Sequence, residues 1–236
     1  MKWPFFSQQS SVSNDLLDRY QRWREVGRDL NLLLVQRLPK DAVPECGKKL
    51  GIFKAGTLIL NHDDEIAVLY DYCLYHFRRG NKTVIDRYLE QSPPAADSLE
   101  MTLLQAMTRV RFSMFRVMAI TPQQGAVLRD LVQGDTIDLI DLGLAETGTP
   151  GSLLLGRLLP LPGFHMSSGT LIPVPEPVYE GHIMPIIKKF MPDGQSDRQR
   201  PMSAAQTAAY VAQMIRVALH AGGMDNVFYT DIEQTG

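Results

Sequence analysis

The sequence predicts an α+β protein with a helical N-terminal half, a small antiparallel β-barrel or curled sheet, and C-terminal helices. Three observations carry this. Apolar residues recur at steps of three and four up to Val110; beyond it they alternate in short runs; and no polar linker separates the two regimes, so the two parts share a core. The expected organisation is a loose leader over 1–13, a helical region over 14–110, a barrel or curled sheet over 111–175, and C-terminal helices over 176–236 with a mobile loop at 192–201.

Ser13 or Asn14 can cap a first helix whose stripe runs Leu16, Tyr20, Trp23, Gly27, Leu30, Leu34 and Leu38, with Pro39 as its stop. A shorter helix over 41–50 ends at Gly51 and carries Pro44 in its first turn. Asp63, Asp64 and Glu65 set negative charge at the start of the next helix, where the peptide dipole favours it, and Ile66, Leu69, Tyr70, Cys73, Leu74 and Phe77 form its apolar stripe. Asn81 opens a helix with Val84, Ile85, Tyr88 and Leu89 inward; Ser92, Pro93 and Pro94 end it, and Asp97 opens a third, with Leu99, Leu103, Met107 and Val110.

The period then changes. Phe112 and Met114 share one phase, whereas Phe115, Val117 and Ala119 share the other, which predicts a bulge or bend near Met114. Further strands are expected over 126–131, 136–142, 152–161, 164–166 and 170–174, separated by turns rich in Pro, Gly, Gln and Asp. Residues 178–190 read as a helix weakened by Gly181 and Pro185. Ser203 caps a last helix with Ala204, Ala208, Val211, Ala212, Ile215 and Leu219 on one face, whose small residues suit close packing within the fold or against a second copy.

Composition narrows the function. The chain has 236 residues, 44% hydrophobic and 21% charged, with a net charge of −2, which excludes a disordered chain, a disulfide scaffold and a broadly basic nucleic-acid binder. The two cysteines, Cys46 and Cys73, form no metal-ligand spacing and read as free buried thiols in a reducing cytoplasm. No apolar run reaches membrane-spanning or signal-peptide length, so no membrane association is expected. Residues 1–60 hold ten basic and six acidic side chains and residues 61–100 four and eight, a modest dipole that solvated helix faces explain.

Five constellations bear on chemistry. Gly151 and Gly156 have phosphate-loop spacing, but Arg157 and Leu158 stand where Lys and Ser/Thr are required, so the glycines are read as turning the chain. His62, Asp63, Asp64 and Glu65 offer hard donors for a divalent ion, yet neighbours on a helix diverge and capping accounts for the acids. Asp71, Tyr72, Tyr75 and His76 form a polar, aromatic face suited to a partner; Asp71 and His76 at i, i+5 are turned apart by about 140°, against direct acid–base pairing. His165 before Ser167, Ser168 and Gly169 lacks a nucleophile elbow and is read as a tight turn. Arg109, Arg111, Arg116 and Arg129 flank Phe112 and Phe115, a pattern that on one sheet face stacks and neutralises single-stranded nucleic acid, although Asp130, Asp135, Asp138 and Asp141 cancel much of the field.

The phrases 64–75 (DEIAVLYDYCLY), 111–117 (RFSMFRV), 128–131 (LRDL), 142–144 (LGL), 156–160 (GRLLP) and 166–173 (MSSGTLIP) together resemble a family of uncharacterised bacterial proteins over roughly 41–174. The resemblance implies no particular reaction. Some similar proteins carry a Cys-rich zinc-binding tail, which this chain, with no cysteine after Cys73, does not have. The expectation is therefore a non-enzymatic cytoplasmic binding or adaptor protein with a protein partner and a tendency to dimerise. Arg111, Arg116, Arg129, Tyr72, Tyr75 and His76 are its candidate binding residues, and no catalytic residue, metal or cofactor is assigned. The alternatives are a single-stranded RNA-binding module built on the barrel, and a metal-assisted hydrolase around His62 to Glu65.

Overall fold

The computed structural model describes residues 7–192 and 201–223, with side chains from residue 15. Helix α1 (Ser7–Gln36) begins a turn and a half before the expected cap. No Gly or Pro lies between Ser7 and Asn14 to stop it, so 7–13 join the helix rather than a leader, while 1–6 lie outside the described residues. Its inward stripe is Tyr20, Trp23, Leu30 and Leu34. Helix α2 (Ala42–Leu50) ends at left-handed Gly51, as the sequence requires. A hairpin, β1 (Phe53–Lys54) and β2 (Thr57–Leu58), follows and was not expected; Ala55 and Gly56 make its turn at positive φ.

Helix α3 (Glu65–His76) is the central element. Leu69, Tyr72 and Cys73 pack into one core cluster with α2, the last helix and the barrel, whereas Leu74 and Tyr75 pack into another with α1 and the fifth helix. The face expected to be wet is therefore covered: Tyr72 and Tyr75 are buried, and Tyr72 Oη donates to Ala208 O at 2.9 Å. The sheet covers Tyr75 and the last helix covers Tyr72, elements later in the chain that a stripe analysis of the helix alone does not register. Helix α4 (Val84–Gln91) is capped by Thr83, not Asn81, through a reciprocal pair with Asp86, and α5 (Leu99–Thr108) by Ser98 rather than Asp97.

Strands β3 (Arg111–Thr121), β4 (Gly125–Asp130), β5 (Thr136–Ile140), β6 (Leu153–Leu161) and β7 (Phe164–Val174) close a barrel in the order β3-β4-β5-β7-β6. All neighbours are antiparallel except β5 and β7. This is a five-stranded Greek-key barrel of the OB type. Phe115, Val117, Ala126, Leu128, Ile137, Leu139, Leu154 and Leu158 fill its interior. Met114 instead points outward into the helical core, so the phase reversal at 114–115 marks a strand buried on both faces. The bulge lies at Met118, where Val117 faces Leu128 and Ala119 faces Val127.

Strand β5 stops at Ile140 because Asp141 turns to cap α6 (Leu142–Thr147), accepting Leu144 N–H at 3.1 Å; this short helix sits where the strand was expected to continue. At the opposite mouth Asp130, 0% exposed, accepts Ser113 Oγ–H at 2.6 Å, the N–H groups of Val132 and Gln133 at 2.9 Å each, and Arg111 Nη1 at 3.1 Å. Gly156 is a strand residue: a Cβ there would stand 2.6 Å from Thr170 O. The weak helix over 178–190 resolves into α7 (Glu176–Val178), a π turn (Tyr179–Ile183) and α8 (Met184–Phe190), the wider turn directly preceding Pro185. Residues 193–200 of the expected loop lie outside the described residues. Helix α9 (Ala204–His220) buries Val211, Ala212, Ile215, Ala218 and Leu219 inside the fold.

Two substitutions test this architecture. Asp130→Ala strands four donors in the closed mouth and should cost about 3 kcal/mol, read as a lowered urea midpoint at unchanged slope. Gly156→Ala forces β6 from β7 and should cost about 2 kcal/mol, read the same way; a change within error at either site would contradict the packing described.

Candidate functional site

Between the barrel, the C-termini of α3 and α5, the start of α4 and the start of α9 lies a cavity of about 690 Å³. Its apolar wall includes Tyr75, Met107, Phe112 and Met202, and four arginines line it: Arg78, Arg109, Arg111 and Arg157. Of the acids that pair with these arginines, Asp86 is in the wall; Asp71, Asp130 and Asp135 stand behind it.

Arg157 organises the site. It is 3% exposed, on the outer face of β6, opposite Phe112 of β3. Its Nε donates to Asp71 Oδ2 at 2.9 Å, and its guanidinium carbon lies 4.2 Å from the Tyr75 ring centre and 5.0 Å from that of Phe112. Arg157 Nη2 is 3.1 Å from His76 Nε2. A guanidinium has no acceptor, so this imidazole nitrogen accepts and the ring is neutral. Burial, and then the positive charge of Arg157, hold the His76 pKa well below its ordinary value. Burial and the nearby Asp71 raise the Tyr75 phenol, keeping it protonated. Asp71 and His76, turned apart on their helix, thus meet through a third residue, which the sequence names only as a mismatch to a phosphate loop.

Of the other candidates, Arg111 lines the cavity with Tyr75 and His76, whereas Arg116, Arg129 and Tyr72 lie elsewhere. Arg111 bridges Asp130 and Asp135 at 3.1 and 2.9 Å and holds the barrel mouth. Arg116 is paired with Glu176 through two bonds of 2.8 and 3.0 Å, which holds the Glu176 carboxyl below its usual range. Arg129, directly across from Arg116, lies exposed on the outer face of β4 with no acid partner among the described residues. These three do not converge with Tyr72, which contacts α9 instead.

His62 pairs with Asp64 at 3.3 Å, and buried Glu65 accepts Asn61 N–H at 3.1 Å. Among the described residues no group of three or more His, Cys, Asp or Glu side chains is arranged to hold a metal. Ser167 Oγ donates to Asp141 Oδ2 at 2.7 Å, and Ser168 and Gly169 belong to an irregularity within the continuous strand β7 rather than to a turn between two strands. Cys46 and Cys73 are free and buried, and no helix of the described residues is long and apolar enough to cross a membrane.

Fold and site define an α+β protein in which a closed Greek-key barrel, wrapped by helices, carries an arginine-walled cavity at its helix-covered side. The model of a family of unknown function, DUF7986, matches residues 14–204, and the chain belongs to that family. No curated protein and no solved structure matches it.

The neutral His76 makes stability depend on pH. Its folded-state pKa is depressed, so the unfolded chain binds the extra proton: stability is intact above about pH 6.5 and falls as pH drops below that, toward the folded-state value. The slope from this group approaches about 1.4 kcal/mol per pH unit. His76→Gln retains an acceptor for Arg157 without a titrating ring. Urea denaturation from pH 7.5 to 5 should therefore show a shallower loss in the variant than in the parent; parallel curves would mean that His76 is not held neutral.

Proposed function

We propose that this protein is a non-enzymatic binding protein whose ligand is an organic anion with an apolar or aromatic body, received in the cavity between barrel and helices. One observation supports the reading above others: guanidinium groups enter the wall beside Tyr75, Phe112 and Met107, while three of the four acids that orient them stand outside it. Such preorganised donors recognise carboxylate, sulfonate or phosphate oxygens at little cost in reordering. The imidazole in the wall supports binding rather than proton transfer, because Arg157 occupies its Nε2. In the adaptor form of this reading, a protein partner presents the anion as an acidic side chain or chain end. Two free buried cysteines without metal-ligand spacing support a cytoplasmic setting.

An RNA-binding role has narrower support. The barrel is of a type that carries oligonucleotides across its second and third strands, and Arg129 is exposed there. Asp138 is exposed on the same face, however, and Arg116 is committed to Glu176. Naphthalene-2-sulfonate titrated calorimetrically into the full chain tests the first reading. Saturable binding, weakened about tenfold in Arg109→Gln, is expected. Absence of binding by the folded protein, or an Arg109→Gln variant that binds equally well, would overturn it. Saturable binding of oligouridine that is lost in Arg129→Gln would transfer the function to the barrel face.

A further inference from the structure

Behind the Asp71–Arg157 pair lies a second, smaller hollow of about 250 Å³, walled by α1, α3, α5 and strand β7. It is separate in chemistry from the larger cavity, although Tyr75 and Met107 belong to both walls. The geometry points to a second binding site here, for a short carboxylate with an aliphatic tail.

Three features carry the assignment. The first is the shape of β7. Leu158 faces Ser167 and Gly156 faces Leu171, so residues 168–170 stand against Arg157 alone. Gly169 takes φ +112°, and Gly156 leaves no room for a Cβ beneath Thr170 O, so the irregularity is built into both strands. Bulges of this kind re-aim side chains, and Ser168, in the wall of the hollow, has a buried Oγ without a hydrogen-bond partner. A native buried hydroxyl in that state needs an explanation, and a group held in the hollow, met by rotation of the Ser168 side chain, supplies one.

The second feature is charge. Arg24 and Arg28, one turn apart on the same side of α1, both reach the hollow. Arg24 Nη1 makes one long bond, 3.4 Å, to Ser167 O, and neither arginine pairs with an acid among the described residues. Asp71, the acid in this wall, has its charge answered by Arg157 at 2.9 Å. Two like charges at i, i+4 repel, and a bound anion removes that repulsion. The third feature is the floor of Leu74, Leu103, Met107 and Met166, which offers only apolar contact and selects an aliphatic tail. One carboxylate headgroup between the arginines and Ser168 Oγ, with its tail over this floor, satisfies all three.

The probe is 4-methylpentanoate, titrated into the full chain by calorimetry and ligand-observed NMR beside the uncharged 4-methylpentan-1-ol. Saturable binding of the acid is expected, with Arg24→Gln and Arg28→Gln each weakening it about tenfold and Ser168→Ala about threefold. Naphthalene-2-sulfonate should bind those variants as it binds the parent, which separates this site from the larger cavity. The assignment is overturned if the folded chain takes up no acid at about 10 mM, if the alcohol binds equally well, or if the arginine variants bind the acid unchanged. None of these outcomes depends on whether naphthalene-2-sulfonate binds.

Discussion

A guanidinium cannot shed its proton to escape burial, so the 3%-exposed Arg157 has to be neutralised where it stands. Everything between the barrel and the helical layer conforms to that need. Asp71 supplies the counter-charge, two aromatic faces supply weaker attraction, and His76 supplies an acceptor by remaining neutral. Asp71, Tyr75 and His76 are all on α3, so a single strand residue sets the rotation of that helix against the barrel. The pair also forms the boundary between the two hollows, Asp71 in the wall of one and Arg157 in the wall of the other.

A second polar knot fixes the barrel itself. Asp130 draws the 131–135 turn, Ser113 and Arg111 onto one carboxylate, closing a mouth that apolar residues could fill but could not register. Helix α6 closes the other mouth with Leu144 against the interior. With both ends shut and the interior packed with Leu, Ile, Val and Phe, the barrel has no lumen to offer. Binding space arises outside it, where helices cross its outer face at a distance set by Arg157 and Phe112.

Most of the helical half was legible because period and stops coincide: the α1 stripe and the Gly51 stop are local signals and the fold obeys them, as it obeys the Ser203 cap of the last helix. The barrel was legible from turn chemistry at 122–125, 133–135 and 162–163. Its central complication was not. The phase reversal at Met114 and Phe115 signals burial on two faces as well as a bulge, and only the helices packed outside the sheet decide between them. Arg157 was hidden for a related reason. Within the apolar run 153–161 it reads as a polar interruption of a strand, and its partners lie 81 and 86 residues earlier. The i, i+5 divergence of Asp71 and His76 is real, yet a fork-shaped cation reaches both. Ser168 looked like part of a Ser-Gly turn, because a bulge in a continuous strand uses the same residues as a turn between two strands.

Stability alone does not account for the Asp71–Arg157 pair. Buried ion pairs are commonly matched or bettered by apolar residues of similar volume, and the surrounding Leu, Met and aromatic side chains would accept such a replacement. An apolar pair at these positions would seal the larger cavity with hydrocarbon and leave the smaller one without a polar back wall. What the ion pair adds is direction. Its Nε side is bound to Asp71 and its Nη2 to His76, which leaves Nη1 with no partner among the described residues at a wall where Arg109 also ends. A donor held rigid by its own neutralising partners is costly to build into a core, and recognition of an anion in the larger cavity, as proposed above, would offset that cost.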